Sequence, residues 1–412
     1  MNPELARRVA FTLGALLVFR IGAYIPLPGP DVAAWSRIPG YHSRDILFGL
    51  FDLPSGGTAR HLAIFALGIT PYIIAAILIR IGCMVWSRLR DLTAAGARGR
   101  DKIAAYTLYL TLILAAFQAY GMAHAIERVR GIVPEPGLVF ELTTVVSLTA
   151  GTVFLVWLCN QITARGIGNG LVLILAVGLV VDFPTVVAIE LERARQGIVS
   201  TDKVAVAALL AVAVTALIVF VESARRAIPV EFAEQSLGGH RIESGTSQLM
   251  LKINSAGLIP TVLAGWLISI VVAGIVVAGG ARSSIVHALG HGQPMFMIVF
   301  GVLVVLLTLF YTAFLIDPEK ASNTLKTLGG VIPGVTRGEP TADYIDFVLS
   351  RVTLVGAIYL VLVFVVPELL IVYAGVPVYL GGTAFLIVVC ATMDIGTQLR
   401  KEMEMRLGGY RR

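Results

Sequence analysis

Few residues inside the apolar parts of this chain could carry chemistry. Arg20 is the one basic residue that falls clearly within an apolar segment, and Glu141 and Asp394 fall near the ends of two others. Ionisable side chains at membrane depth are costly, and they usually mark substrate paths or proton relays. These three isolated positions do not form a relay of Asp, Glu and His. The sequence therefore argues against ion-coupled transport.

Motifs for catalysis or metal binding are also missing. The sequence contains no H-E-x-x-H, no G-x-S-x-G and no P-loop. His61 stands beside Arg60 without a second histidine or a carboxylate close by, which does not favour a metal site. Cys83, Cys159 and Cys390 are far apart in apolar surroundings, which favours buried free thiols. We expect neither an enzyme nor a metal or cofactor site.

Composition and hydropathy define the class of protein. Hydrophobic residues make up 57% of the 412 residues and charged residues only 14%, which is far from the average of soluble domains. Long apolar runs predict a multi-pass helical membrane protein. The ten predicted spans cover residues 9–26, 62–86, 103–124, 138–160, 171–187, 204–221, 253–277, 295–316, 352–366 and 376–393.

The distribution of Lys and Arg predicts the orientation. If the N-terminus is cytoplasmic, 22 of the 32 basic residues lie on the cytoplasmic side and nine on the other, with Arg20 inside a span. Cytoplasmic loops of membrane proteins carry such an excess. We expect a multi-pass protein of the cell membrane with both termini in the cytoplasm. This bias also explains most of the net charge of +6, which by itself is no evidence for a nucleic-acid partner.

The second predicted span is interrupted. Only about eight apolar residues precede the break, whereas a spanning helix needs roughly 20. Gly68 and Pro71 bracket the break, because Pro71 lacks an N–H and clashes with the carbonyl four residues earlier. Irregular backbone at membrane depth is tolerated against protein or around a cavity. The pattern fits a channel or transporter whose cavity this segment lines, and equally a merely kinked helix.

The ten spans divide into five and five, which predicts halves of opposite orientation as in inverted-repeat proteins. The N-terminal half is residues 1–187. The C-terminal half is residues 188–412. Its loops 222–252 and 317–351 each hold about 30 residues, longer than most connections. We interpret both loops as protruding hairpins offered to a partner.

The residues alone leave three kinds of function to compare. A small-solute secondary transporter would need intramembrane carboxylates, and a membrane-embedded enzyme would need a nucleophile–base pair or a metal set. A passive conduit lined by aliphatic side chains needs neither. The conduit is therefore the leading hypothesis, and the transporter is the alternative.

Ordered motifs along the whole chain then resemble the SecY family of protein-translocation channels. They are Val18-Phe19-Arg20-Ile21-Gly22, Leu67-Gly68-Ile69 with Pro71-Tyr72-Ile73, Thr149-Ala150-Gly151-Thr152, Gln161-Ile162-Thr163, Arg165-Gly166-Ile167-Gly168-Asn169-Gly170, Asn254 with Ala256-Gly257 and Ile259-Pro260, Phe310-Tyr311-Thr312-Ala313, Pro333-Gly334, Arg337-Gly338-Glu339 and Gly381-Gly382-Thr383. The resemblance implies an all-α polytopic protein of ten transmembrane helices in two pseudo-symmetric inverted halves of five. It also implies a pore that a partner drives.

The resemblance assigns roles to particular residues. The implied pore ring is Ile69, Ile73, Leu175, Val262, Leu386 and Ile387. The implied plug, a short half-helix, is Ser55, Gly56, Gly57, Thr58, Ala59, Arg60, His61, Leu62, Ala63, Ile64 and Phe65. The implied gate helix is at about 70–86, the plug is at about 55–65, and the implied lateral gate includes Ile74, Ile77, Ile259, Pro260 and Leu263. Docking of a motor or ribosome is implied for Arg337, Arg241, Lys320 and Lys326.

The implied partners are SecE-like and SecG-like small subunits, a SecA-type motor ATPase, the ribosome, signal sequences and the lipid bilayer. Two features depart from the family pattern. Asn160 and Ala164 replace residues that are usually charged, and the loop around Arg241 is poor in basic residues. Both bear on docking and not on the pore.

Overall fold

The computed structural model describes residues 3–31, 34–35, 62–127, 129, 131–232, 235–237, 240–242, 245–275, 284–290, 293–373 and 382–409. Contacts divide the chain into two compact units. The first comprises Met1–Val199 with Ile387–Arg412, and the second comprises Ser200–Leu386. The prediction of two inverted halves of five spans is a separate statement and stays a prediction.

Thirteen helices and five short strands make up the described residues. The helices are α1 (Pro3–Gly22), α2 (Thr70–Val85), α3 (Ser87–Ala94), α4 (Gly96–Glu127), α5 (Leu138–Arg165), α6 (Gly170–Arg195), α7 (Thr201–Ser223), α8 (Ile259–Ile275), α9 (Ser284–Ala288), α10 (Pro294–Leu315), α11 (Pro318–Thr327), α12 (Glu339–Tyr373) and α13 (Gly382–Gly409). The strands are β1 (Arg225–Phe232), β2 (Gln235–Leu237), β3 (His240–Ile242), β4 (Gly245–Lys252) and β5 (Gly330–Val331).

The first unit is built around α4 and α5, which pack along each other, with α2 against α4 and α1 and α6 against α5. The buried face of α4 is made largely of small residues, with Ala115, Ala119 and Ala123 at 0% exposure. Small residues let membrane helices approach closely, so van der Waals packing supplies the association that the hydrophobic effect does not supply in lipid. This core continues into residues that lie before α2, including Leu62 and Leu67.

The connection between α5 and α6 explains the Arg165–Gly170 motif. Its backbone amides are satisfied by side chains from distant elements: the amide of Ile167 donates to Thr12 Oγ1 on α1 (2.9 Å), and that of Gly168 donates to Gln398 Oε1 on α13 (2.8 Å). Asn169 caps α6 by accepting from the Leu171 amide (3.1 Å). Buried backbone groups need such partners. The motif therefore joins the α5–α6 connection to α1 and α13.

The second unit carries a small antiparallel sheet in the order β4–β1–β5. Strand β1 pairs with β4 from Arg225–Lys252 to Phe232–Gly245, and its last two residues also pair with β5. Strands β2 and β3 pair with each other beyond it. The loop 222–252 is thus a hairpin, as the sequence predicts.

The loop 317–351 is not a hairpin, which corrects the sequence interpretation. It forms α11, the short strand β5 and the first turns of α12. Asp317 starts α11 by accepting from the amides of Glu319 and Lys320. The stretch from Glu339 onward is helical because it is amphipathic, and it buries Ile345 and Leu349.

Six helices among the described residues are long and apolar enough to cross a membrane, and the bent pair α2–α3 would add a seventh. They are Gly96–Glu127, Leu138–Arg165, Thr201–Ser223, Pro294–Thr327, Glu339–Leu370 and Gly382–Arg400. Two shorter apolar helices, Gly170–Val181 and Ile259–Val272, coincide with the predicted fifth and seventh spans. The multi-pass helical class is confirmed, and the count of ten spans stays a prediction.

Candidate functional site

The segment just before α2 is a run of turns rather than a helix. Residues 62–69 form it, and Ala63 makes an isolated antiparallel bridge with Pro26. The amide of Leu27 donates to the Leu62 carbonyl (2.8 Å), and that of Ile64 donates to the Ile25 carbonyl (3.0 Å). We call residues 62–69 the turn segment. Its backbone groups are satisfied by protein, which is the condition for irregular backbone at membrane depth.

Phe65 holds the turn segment between α1 and α5. Its ring stacks on Phe19 (6.1 Å between centroids) and on Phe154 (5.9 Å). Gly22 and Gly151 make room for it: a Cβ on Gly22 would overlap the Phe65 ring, and one on Gly151 would overlap the Ile64 carbonyl. Stacked aromatic pairs add roughly 0.5–1.5 kcal/mol beyond area burial. The turn segment is therefore fixed to its neighbours.

Helix α2 starts directly after the break. Gly68 has φ +57°, a left-handed conformation that favours glycine, and Pro71 occupies the first turn, where its missing N–H costs nothing. Trp86 is extended, and the helix axis bends by 103° into α3. The predicted break at Gly68–Pro71 and the predicted end at Trp86 both coincide with the ends of α2.

The predicted pore-ring residues all lie at or near the start of a helix. Ile69 is the residue before α2, and Ile73 is in the first turn of α2. Leu175 is in the second turn of α6, and Val262 is in the first turn of α8. Leu386 and Ile387 are in the second turn of α13. Ile69, Ile73, Leu175 and Ile387 belong to the first unit, and Val262 and Leu386 belong to the second. Ile73 and Val262 are half-buried, and the other four are buried.

The predicted lateral-gate residues lie on two helices. Ile74 and Ile77 are buried on α2 in the first unit. Ile259, Pro260 and Leu263 lie at the start of α8 in the second unit. Ile259 is half-buried, and Pro260 and Leu263 are buried. Their assignment to a gate stays a prediction.

The predicted plug is only partly described. Residues 55–61 lie outside the described residues. The described part, Leu62 to Phe65, is in turns rather than in the expected half-helix, because its amides and carbonyls pair with residues 25–27. Leu62 and Ala63 are fully buried.

The two predicted docking loops form one folded body, which we call the loop platform: β1–β4, α11, β5 and the first turns of α12. Its core consists of Ile228, Val230, Leu251, Ile332 and Ile345, which come from both loops. Ser322 on α11 also donates to the Gly338 carbonyl (2.8 Å). Sequence reasoning missed this joining, although the alternating apolar residues of β1 were a signal for a half-buried strand.

The predicted docking residues lie on the loop platform. Arg337, in the turn between β5 and α12, is exposed, and so are Lys320 and Lys326 on α11. Arg241 is in β3, whose side chains are outside what the structure describes. Lys320 Nζ lies 3.0 Å from Asp317 Oδ2, and its hydrogen bond holds the pKa of the Asp317 carboxyl below its ordinary value.

The candidate chemical residues of the sequence are engaged locally. Arg20 donates to the Tyr24 hydroxyl (2.6 Å) and lies over the same ring. Cys83 and Cys159 are buried free thiols. Asn254, which the sequence analysis names in a family motif without a role, donates to Glu222 Oε1 (2.6 Å) and so closes the base of the hairpin.

Solved structures with the same fold cover nearly the whole chain. A structure described as a protein-conducting channel matches with a TM-score of 0.69 at 16% identity, over 98% of this chain and 94% of that one. A second structure concerns the plug domain of the SecY protein, which stabilises the closed state of that channel. It matches with a TM-score of 0.69 at 17% identity, over 98% of this chain and 93% of that one. Sec61 in the canine ribosome–channel complex matches with a TM-score of 0.66 at 16% identity, over 98% of this chain and 94% of that one. The fold is that of a membrane channel of this type.

Sequence comparison makes the assignment specific. The model of the SecY family matches residues 63–396. The chain is 40% identical to the protein translocase subunit SecY of Escherichia coli K12 over 411 residues, which is 97% of this chain and 92% of that protein. The corresponding subunit of Rickettsia conorii is 36% identical over 408 residues, 96% and 93% of the two chains. The chain belongs to the SecY family, as its motifs indicate.

Proposed function

We propose that this chain is the central channel subunit of a protein translocase, and not an enzyme. It passes unfolded secretory proteins across the membrane and releases signal sequences and membrane segments sideways into lipid. The interrupted second segment carries the proposal, since a turn segment that is buried at every residue except Ile64, next to a short apolar helix, suits a gated conduit. The near absence of ionisable residues in the spans fits a passive pore that a partner drives.

The closed pore is sealed by aliphatic side chains in this proposal. Ile69, Ile73, Leu175, Val262, Leu386 and Ile387 form the ring. Aliphatic rings exclude water and ions when empty, because hydrophobic constrictions close by dewetting. Their contacts are non-directional, so the ring yields around a passing chain. Residues 55–65 form the plug, and its end from Leu62 to Phe65 belongs to the turn segment.

Signal sequences leave through a lateral gate between α2 and α8, lined by Ile74, Ile77, Ile259, Pro260 and Leu263. The loop platform receives a SecA-type motor or the ribosome, with Arg337, Lys320, Lys326 and Arg241 as basic contacts. Ribosomal RNA is a suitable acidic partner for exposed Arg and Lys. SecE-like and SecG-like subunits accompany the chain in the cell membrane, and both termini lie in the cytoplasm.

Reconstitution tests the function directly. The chain with its small subunits is placed in vesicles, and a motor ATPase and a secretory precursor are added. We expect precursor that is protected from protease only when ATP is present. Vesicles without the chain are the control. Failure to protect any precursor, or saturable uptake of one small solute instead, would contradict the proposal.

A further inference from the structure

A histidine and two glutamates meet where α4 ends and α5 begins. His124 and Glu127 are in the last turn of α4, and Glu141 is in the first turn of α5. One ligand atom from each side chain lies within 4.8 Å of the other two. Among the described residues, this is the one group of three potential metal ligands.

The separation of His124 and Glu141 suits two ligands of one metal ion. His124 Nδ1 and Glu141 Oε1 are 3.4 Å apart, which is long for a hydrogen bond, since these are typically about 2.7–3.2 Å. In a tetrahedral zinc site with bonds of about 2.0–2.2 Å, neighbouring ligand atoms lie about 3.4 Å apart. The Glu127 ligand atom lies within 4.8 Å of both others.

The surroundings also suit a metal ion. The Tyr120 ring stacks on the imidazole at 6.1 Å and 14°, which fixes the ring plane. The side chain of His124 is 42% exposed and that of Glu141 18%, so one side of the group is open to solvent. An ion can enter there, and water can complete its coordination. A ligand set that includes an imidazole suits first-row transition-metal dications such as Zn²⁺ better than Mg²⁺ or Ca²⁺.

We propose that His124, Glu127 and Glu141 form a binding site for a first-row transition-metal dication, with Zn²⁺ the preferred ion. The bound ion clamps the last turn of α4 to the first turn of α5 and closes the connection 128–137. This inference is independent of the translocation function. It concerns stability of one helical hairpin, so either proposal can fail without the other.

Metal binding to the purified full chain tests the site. The protein carries a tag without histidines, is stripped with a chelator and is titrated with ZnCl₂ in a calorimeter. We expect one Zn²⁺ per chain, and an affinity lowered at least about 100-fold in His124→Gln and Glu141→Gln, since loss of even an outer-shell partner costs 10–100-fold. Glu135→Gln and His287→Gln, which alter an exposed carboxylate of the same connection and a histidine of α9, are matched controls and keep the wild-type affinity.

Thermal unfolding separates a lost site from a damaged fold. Zn²⁺ raises the Tm of the wild-type chain and of both controls, because a ligand that binds only the folded state stabilises it. Without metal, both ligand variants unfold at the wild-type Tm, and Zn²⁺ no longer shifts it. Absence of stoichiometric binding to the wild type, or unchanged binding in both ligand variants, would overturn the proposal.

Discussion

Single side chains decide whether the proposed pore seals. Each proposed ring residue is aliphatic, and four of the six are buried. Ile73 and Val262 are half-buried, so a polar group there meets water more readily than at the other four positions. These two positions are therefore the most informative for substitution. Arg337 is likewise an informative position for testing docking, because it is exposed in a turn of the loop platform.

Ile73→Ser and Val262→Ser should each raise ion leak through the resting channel several-fold, because a hydroxyl holds water in the constriction. Both variants should also export precursors with weakened signal sequences. Vesicle conductance and an export assay measure the two effects. Ile270→Ser, on the exposed face of α8, is the matched control. Unchanged leak in both variants would remove these residues from the ring.

Arg337→Glu should lower motor-driven translocation more than Arg241→Glu, since the loop around Arg241 is poor in basic residues. Binding of the motor, measured by titration at two salt concentrations, should weaken for Arg337→Glu, while the leak of the empty channel stays at the wild-type level. Lys203→Glu, which reverses an exposed charge of α7 outside the loop platform, is the control and should translocate at the wild-type level. If Arg241→Glu lowered translocation more than Arg337→Glu, the loop 222–252 would be the more important of the two for docking.

At the scale of elements, the turn segment before α2 is fixed to its neighbours. The predicted plug runs from Ser55 to Phe65, and its described part, Leu62 to Phe65, pairs with residues 25–27 just after α1 and packs between Phe19 and Phe154. These contacts hold the end of the proposed plug against α1 and α5. The loop platform is the second such element, because its core draws residues from both loops.

Phe65→Ala should destabilise the channel by about 3 kcal/mol, because it leaves a cavity between α1 and α5. It should also raise ion leak, since the turn segment loses its stacking partners. Denaturant unfolding and vesicle conductance measure the two effects. Phe117→Ala, at an exposed position of α4, should change neither. A stable variant with an intact seal would show that Phe65 does not hold the segment.

Ile345→Ala should loosen the loop platform by about 2 kcal/mol, because Ile345 is fully buried between the two loops. Amides of β1 should then exchange faster with solvent, and motor binding should fall although no basic residue has changed. Hydrogen exchange followed by mass spectrometry checks this. Met250→Ala, on the exposed face of β4, is the control. If the β1 amides exchanged at the wild-type rate in Ile345→Ala, the loops 222–252 and 317–351 would each be stable without the other.

At the scale of the whole molecule, the chain offers large apolar surfaces to its surroundings. Helix α7, for example, leaves Leu209, Val212 and Phe220 about 70% exposed, which suits lipid or partner helices. The excess of basic residues on one predicted side favours the proposed orientation. Family membership, the multi-pass class and the proposed orientation are thus consistent with each other.

Purification of the tagged chain from membranes in mild detergent should recover a small SecE-like subunit in roughly equal amount, because two halves of a channel need a lateral support. Quantitative mass spectrometry measures the ratio. A multi-pass protein of unrelated function, carrying the same tag, is the control. Recovery of the chain alone, still able to translocate precursor, would contradict the proposed assembly.

Much of this protein could be predicted from local sequence. Hydropathy located helices within all ten predicted spans, and the glycine and proline at positions 68 and 71 located the break, because both residues act on the backbone next to them. The scarcity of ionisable residues in the spans argued against ion-coupled transport, and the lack of catalytic motifs argued against an enzyme. The ordered motifs indicated the SecY family, which the comparisons confirm.

Only the tertiary structure decided which distant segments support each other. The pairing of β1 with β5, the Phe65 stack between α1 and α5, the Thr12 and Gln398 contacts to the α5–α6 connection and the meeting of His124 with Glu141 each join residues that are far apart in the chain or on separate helices. Periodicity and propensity report the local environment of a residue. Such contacts depend on how complete helices pack, which is why the sequence predicted the interruption and the structure identified what holds it.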